Sequence, residues 1–84
     1  MILKAYNDNH ESIEIGEEIK TLGEVYYILK IELTVAGFIK DIYAINCGLN
    51  KIIKVATNLD GFEKTGIISK DVVKFAEAMA GVDY

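Results

Sequence analysis

The chain has one histidine, His10, and one cysteine, Cys47. A cysteine–histidine pair is catalytic only when the two side chains are adjacent and a third group orients the base. Nothing in their spacing indicates this arrangement, because each residue belongs to a separate turn-forming run. Two such ligands also leave a tetrahedral zinc site incomplete. We therefore predict that the chain is not an enzyme and has no catalytic residue, metal site or cofactor.

A second chemical candidate is the pair of glycines Gly61 and Gly66, whose spacing resembles that of a phosphate-binding loop. That loop requires Lys and then Ser or Thr directly after its second glycine, at the start of a helix. Ile67 and Ile68 occupy these two positions instead. The segment 62–68 is therefore interpreted as a connector and not as a nucleotide site.

Acidic residues are concentrated near the N-terminus. Between residues 8 and 24 there are six acids and one base, Lys20, so this segment carries a charge of −5 in a chain of net charge −4. A concentrated negative charge attracts a basic surface. We predict that a protein partner contacts Asp8, Glu11, Glu14, Glu17, Glu18 and Glu24. In the more specific form of this hypothesis, the partner is a basic protein. A solvated surface without a partner is the alternative interpretation.

Tyr26 and Tyr27 are adjacent in a run that alternates like a strand, so their side chains are expected on opposite faces. One of the two should then lie outside the core. A surface tyrosine is a typical interface anchor, because it combines a large apolar ring with a polar tip. Both are candidate partner-binding residues, and a core aromatic with its hydroxyl at the rim is the alternative.

Composition limits the classes of partner. The chain has 84 residues, of which 51% are hydrophobic, and it contains no Arg. A domain this short buries only about 60–65% of its unfolded surface, so we predict one domain, residues 1–84, that self-associates as a homodimer. The lack of Arg and the net charge of −4 argue against direct nucleic-acid binding. Four charged residues interrupt the central apolar run, which argues against a membrane span. The single cysteine and the N-terminal composition predict a cytoplasmic protein.

The strands and helices that position these residues are predicted from the spacing of apolar side chains along the sequence. Residues 29–35 alternate apolar and polar side chains, and Ala36-Gly37 permits a turn, so a hairpin of strands 25–35 and 38–45 is predicted. Residues 2–6 and 11–15 are predicted to form a second hairpin, and residues 16–23 fit either a helix or a loop. A heptad-like pattern from residue 15 to residue 36 predicts an all-α bundle instead, although Gly16 and Gly23 would each cost it about 1 kcal/mol.

The C-terminal half is predicted to be helical. Residues 49–59 place apolar side chains on one helical face. Ser69 resembles an N-cap, with Asp71 in the first turn of a helix at 69–80. The predicted fold is therefore α+β, with a small antiparallel sheet covered by two C-terminal helices.

These predictions favour a function based on binding. We expect a non-catalytic, small, acidic protein–protein interaction module that self-associates. In one version of this hypothesis it is an inhibitor or regulator that engages a basic, nucleic-acid-binding protein through its acidic N-terminal segment. The alternative is a small-molecule-binding domain with a pocket between the sheet and the helices.

Overall fold

The computed structural model describes residues 4–6, 12–21, 23–55 and 62–82. The elements are β1 (Lys4–Tyr6), β2 (Ser12–Glu14), β3 (Glu17–Thr21), β4 (Glu24–Leu33), β5 (Ile39–Asn46), β6 (Ile52–Val55), β7 (Glu63–Ile68) and α1 (Lys70–Val82). Strands β1 and β2 form a two-stranded sheet, and the other five strands form an antiparallel sheet in the order β6-β5-β4-β3-β7. This confirms the α+β class, and the prediction of an all-α bundle is wrong.

Strands β4 and β5 are the predicted central hairpin. At its tip the amide of Thr34 donates to the carbonyl of Phe38 over 2.7 Å, and the amide of Gly37 donates to the carbonyl of Thr34 over 2.9 Å. Gly37 has a φ of 90°, a left-handed conformation that glycine adopts without a steric penalty. The register shifts between Ile28 and Lys30, so the alternation of residues 29–35 does not continue unbroken from residues 26–28.

The N-terminal hairpin is also confirmed, since β1 and β2 are antiparallel partners. The undecided segment 16–23 contains strand β3. Gly16 connects β2 to β3 with a φ of 86°. Its amide donates to the carbonyl of Ile28 over 2.7 Å, and its own carbonyl accepts from the amide of Ser69 over 2.8 Å. Gly16 therefore links the sheet to the start of the helix.

The predicted helix at 49–59 is wrong. Residues 52–55 form strand β6, and residues 56–59 lie outside the described residues. The side-chain oxygen of Asn46 accepts hydrogen bonds from the amides of Asn50 and Lys51, each over 3.0 Å. This turn folds the chain back so that β6 pairs with β5. Three of the four residues of β6 are β-branched and suit a pleated sheet better than a helix.

The connector predicted at 62–68 is wrong as well, because Glu63–Ile68 is strand β7 and pairs with β3. Gly66, with a φ of 85°, lies in the part of β7 where the register shifts. Helix α1 confirms the second predicted helix and is the one helix in the described part of the chain. The Ser69 hydroxyl accepts the amide of Val72 over 3.3 Å, as expected of an N-cap.

Most of the core lies on one face of the five-stranded sheet, called here the buried face, although Ile45 on the other face also belongs to it. The molecule measures 19 Å along its shortest axis and 34 and 30 Å along the other two. This thickness fits a sheet with one further layer, since packed layers lie about 10 Å apart. The core joins Ile19, Tyr26, Ile28, Ile31, Ile42, Ala44 and Val55 to Ile13 and Ile15 near the N-terminus and to Val72 and Ala76 of the helix.

Candidate functional site

The second face of the five-stranded sheet, called here the open face, is the candidate site. Residues directly paired between antiparallel strands share a face. Glu18 pairs with Tyr27, Tyr27 with Ile45, and Ile45 with Ile52, so one row crosses four strands. Register and alternation assign to this face Glu18, Lys20, Val25, Tyr27, Lys30, Glu32, Asp41, Tyr43, Ile45, Ile52, Lys54, Glu63, Thr65 and Ile67.

The centre of the open face is apolar. Ile45 is only 1% exposed, and it lies between Tyr27 and Ile52 in the row. Tyr27 and Tyr43 are half-buried. Val25 and Ile52 are 39% and 51% exposed. This combination of rigid tyrosine rings and exposed aliphatic side chains suits the docking of another apolar surface.

A hydrogen-bonded cluster holds Tyr27 in place. Its hydroxyl donates to Glu18 over 3.0 Å, and the hydroxyl of Thr65 donates to the other oxygen of the same carboxylate, also over 3.0 Å. The bond to Glu18, followed by burial, raises the pKa of Tyr27 above its ordinary value of 10.0. Both oxygens of Glu18 therefore accept a hydrogen bond from a neighbouring strand.

The charged side chains of the open face largely neutralise one another. Lys30 lies 3.3 Å from Glu32, and Lys54 lies 3.1 Å from Asp41. The hydrogen bond that Lys54 donates to the carboxylate of Asp41 raises the pKa of Lys54. The face therefore combines an apolar centre with a small net charge. Its lysines are Lys20, Lys30 and Lys54, and its acids are Glu18, Glu32, Asp41 and Glu63.

Glu17 lies on the buried face, because neighbouring residues of a strand point in opposite directions. It is 8% exposed. One carboxylate oxygen lies 3.4 Å from the amine of Lys64, and that amine also donates to the carbonyl of Ser12 over 2.5 Å. The other oxygen of Glu17 is buried without a hydrogen-bond partner. Glu17 is therefore separated from Glu18 and turned away from solvent.

Tyr26 also belongs to the buried face and is 2% exposed. Its hydroxyl donates to the carboxylate of Glu24, and this hydrogen bond is the main reason that the pKa of Tyr26 is raised. Glu24 and Glu14 are exposed, whereas Asp8 and Glu11 lie outside the described residues. The structure thus brings Glu18 and Tyr27 together and places Glu17 and Tyr26 elsewhere. A partner-binding role for the eight residues stays a prediction.

Several residues of the open face, among them Ile45 and Ile52, were not singled out from the sequence. Tyr43 and Ile45 lie two residues apart on a predicted strand, so alternation alone places them on the same face. The residues of the neighbouring strand that share this face became visible only with the observed register, in which Tyr43 pairs with Lys30 across a register shift. Ile52 was not predicted to lie on a strand, because the apolar residues of its segment have helical periodicity. Pairing partners, which are distant in sequence, decide this surface.

Within the described residues, no group of three or more His, Cys, Asp or Glu side chains is placed to hold a metal ion. The same residues include no helix that is long and apolar enough to cross a membrane. Comparisons of the chain with protein-family models, curated proteins and solved structures find no match.

Proposed function

We propose that this chain is a non-catalytic protein-binding module that associates with itself, in the simplest case as a homodimer. The observation that carries the proposal is the amount of large apolar surface left outside the core. Val35 is fully exposed, and six other large apolar side chains are 39–55% exposed. These six are Val25, Phe38, Ile52, Ile67, Ile68 and Met79.

Physical chemistry connects this exposure to association. Removing apolar surface from water stabilises a complex by about 25 cal/mol per Å², and extended apolar patches on small domains mark interaction sites. A sheet covered on one side has a second broad side that another molecule can cover. Two-fold symmetric dimers are the commonest assemblies of identical chains. Several polar groups of the open face bond to one another, which suits docking better than chemical conversion of a substrate.

Sedimentation equilibrium and light scattering of the purified chain, from micromolar to millimolar concentration, test this proposal. The expected result is a mass that rises from the 9.3 kDa of one chain towards twice that value. Because apolar contacts drive this association, added salt should not weaken it. A mass that stays at 9.3 kDa throughout would contradict the proposal.

Engagement of a basic partner by the acidic segment remains a separate proposal. Within the described residues, Glu14 and Glu24 are exposed acids of that segment, whereas Glu17 and Glu18 bond to neighbouring strands. A pair of substitutions, Glu14→Lys and Glu24→Lys, should weaken binding to a polylysine probe. Equal binding by the variant and the unaltered chain would exclude these two residues. The alternative of a small-molecule pocket stays a prediction.

A further inference from the structure

We infer that the open face is the surface that receives the second copy, so that the dimer packs two five-stranded sheets face to face. This inference rests on the proposed self-association and names its interface. The occupant is a second copy of this chain, and three features of the described residues support it: the extent of the face, its charge balance and the state of the sheet edges.

The first feature is extent. The molecule measures 34 by 30 Å across its broad sides, which leaves room for the about 800 Å² per partner that a stable interface buries. The opposite broad side carries the helix, whose exposed residues include Lys70, Asp71, Lys74 and Glu77. At the hairpin tip, the large exposed apolar residues are Val35 and Phe38. The open face is therefore the broad surface with an apolar centre.

The second feature is charge. The open face has three lysines and four acids, hence a net charge of −1, and the pairs Lys30–Glu32 and Lys54–Asp41 are formed within one copy. A strongly charged partner gains little from such a surface, whereas an identical surface meets no large excess of like charge. The second copy can then cover Val25, Tyr27 and Ile52, which remain accessible in one chain, while the ion pairs remain towards the rim. Charge balance thus favours a second copy over a basic protein.

The third feature is the condition of the two sheet edges, β6 and β7. Strand β6 has only four residues, one of which is Lys54. It follows directly on a turn that contains Lys51. Strand β7 is interrupted by the positive φ of Gly66 and by the register shift against β3. Short length, lysines and bulges are the features by which natural sheets prevent edge-to-edge pairing. Association by packing of faces is therefore favoured over extension of the sheet.

Single lysine substitutions at matched positions test the inference. Val25→Lys and Ile52→Lys alter the open face, whereas Phe38→Lys and Met79→Lys alter apolar residues of similar exposure at the hairpin tip and on the helix. All four variants gain one positive charge and lose one exposed apolar side chain. We expect the two open-face variants to raise the dimer dissociation constant by about tenfold or more, and the two controls to change it by less than about threefold.

The outcomes separate the inference from the proposed function. If the unaltered chain dimerises and only the control variants disrupt the dimer, the interface lies at the tip or on the helix and the inference is overturned, while self-association stands. If the unaltered chain is monomeric at every concentration, both fail. Circular dichroism establishes that each variant is folded. Amide resonances followed on dilution give a readout without mutation, with the largest shifts expected at Val25, Tyr27 and Ile52.

Discussion

The hydroxyl of Tyr27 donates a hydrogen bond to the carboxylate of Glu18, directly opposite it on the neighbouring strand, over 3.0 Å. Thr65 of β7 donates to the same carboxylate, so side chains of three strands meet on the open face. Tyr27 can donate this bond only while its hydroxyl is protonated. Its ionisation is therefore opposed both by the loss of the bond and by the nearby negative charge.

Glu18→Gln should lower the pKa of Tyr27 towards the ordinary 10.0, because the neutral amide is a weaker acceptor and does not repel the phenolate. Ultraviolet titration of the phenolate, assigned by comparison with a Tyr27→Phe variant, measures this change. Glu24→Gln is the matched control, since it should lower the pKa of Tyr26 and leave that of Tyr27 unaltered. An unchanged Tyr27 titration in Glu18→Gln would show that the hydrogen bond is absent in solution.

Stability should fall at alkaline pH. The pKa values of Tyr26 and Tyr27 are raised in the folded chain above the 10.0 expected when unfolded. Their contribution to the free energy of unfolding is therefore complete below pH 10.0 and is lost as the pH rises through the higher folded values. Lys54, with a pKa raised above 10.5, acts in the same direction. Urea unfolding of the unaltered chain and of Tyr27→Phe on both sides of pH 10.0 measures this loss. If the free energy of unfolding depended on pH equally in the two proteins, the prediction for Tyr27 would be contradicted.

Gly16→Ala should be strongly destabilising. An added Cβ would lie 2.6 Å from a methyl carbon of Val73 and 2.9 Å from the carbonyl oxygen of Ser69, at a φ of 86°. Backbone strain and overpacking together predict a loss of about 3 kcal/mol. Gly23→Ala is the control, because Gly23 has a similar φ of 74° but no atom within 4 Å. Its expected loss is about 1 kcal/mol, from strain alone. Equal losses by chemical denaturation would mean that the helix does not approach Gly16 this closely.

The Glu17–Lys64 ion pair should show strong coupling in a double-mutant cycle. Lys64→Met leaves the carboxylate of Glu17 buried without its cation, and we expect it to cost about 1–3 kcal/mol of unfolding free energy. Glu17→Leu removes the buried charge and the unpaired oxygen, so the double variant should recover most of the loss. Urea denaturation of the four proteins gives the coupling energy. Additive losses would indicate that the two side chains do not interact.

The sequence by itself determined the elements whose cues are local. Alternation with Ala36-Gly37 between the strands predicted the central hairpin, and Ser69 with Asp71 predicted the start of the helix, which the structure confirms. The N-terminal hairpin followed in the same way. In each case the residues that specify the element lie within a few positions of one another.

Tertiary structure decided the rest. Residues 49–55 have helical periodicity, but a helix this short is marginal on its own, and residues 52–55 pair with β5 instead. Strand β7 exists because β3 pairs with it across more than forty residues of sequence. Alternation along β3 places Glu17 and Glu18 on opposite faces, and the packing of the sheet decides that Glu17 is the one turned to the core. Local periodicity contains no information about which distant strand will pair, and pairing determines which side chains share a face.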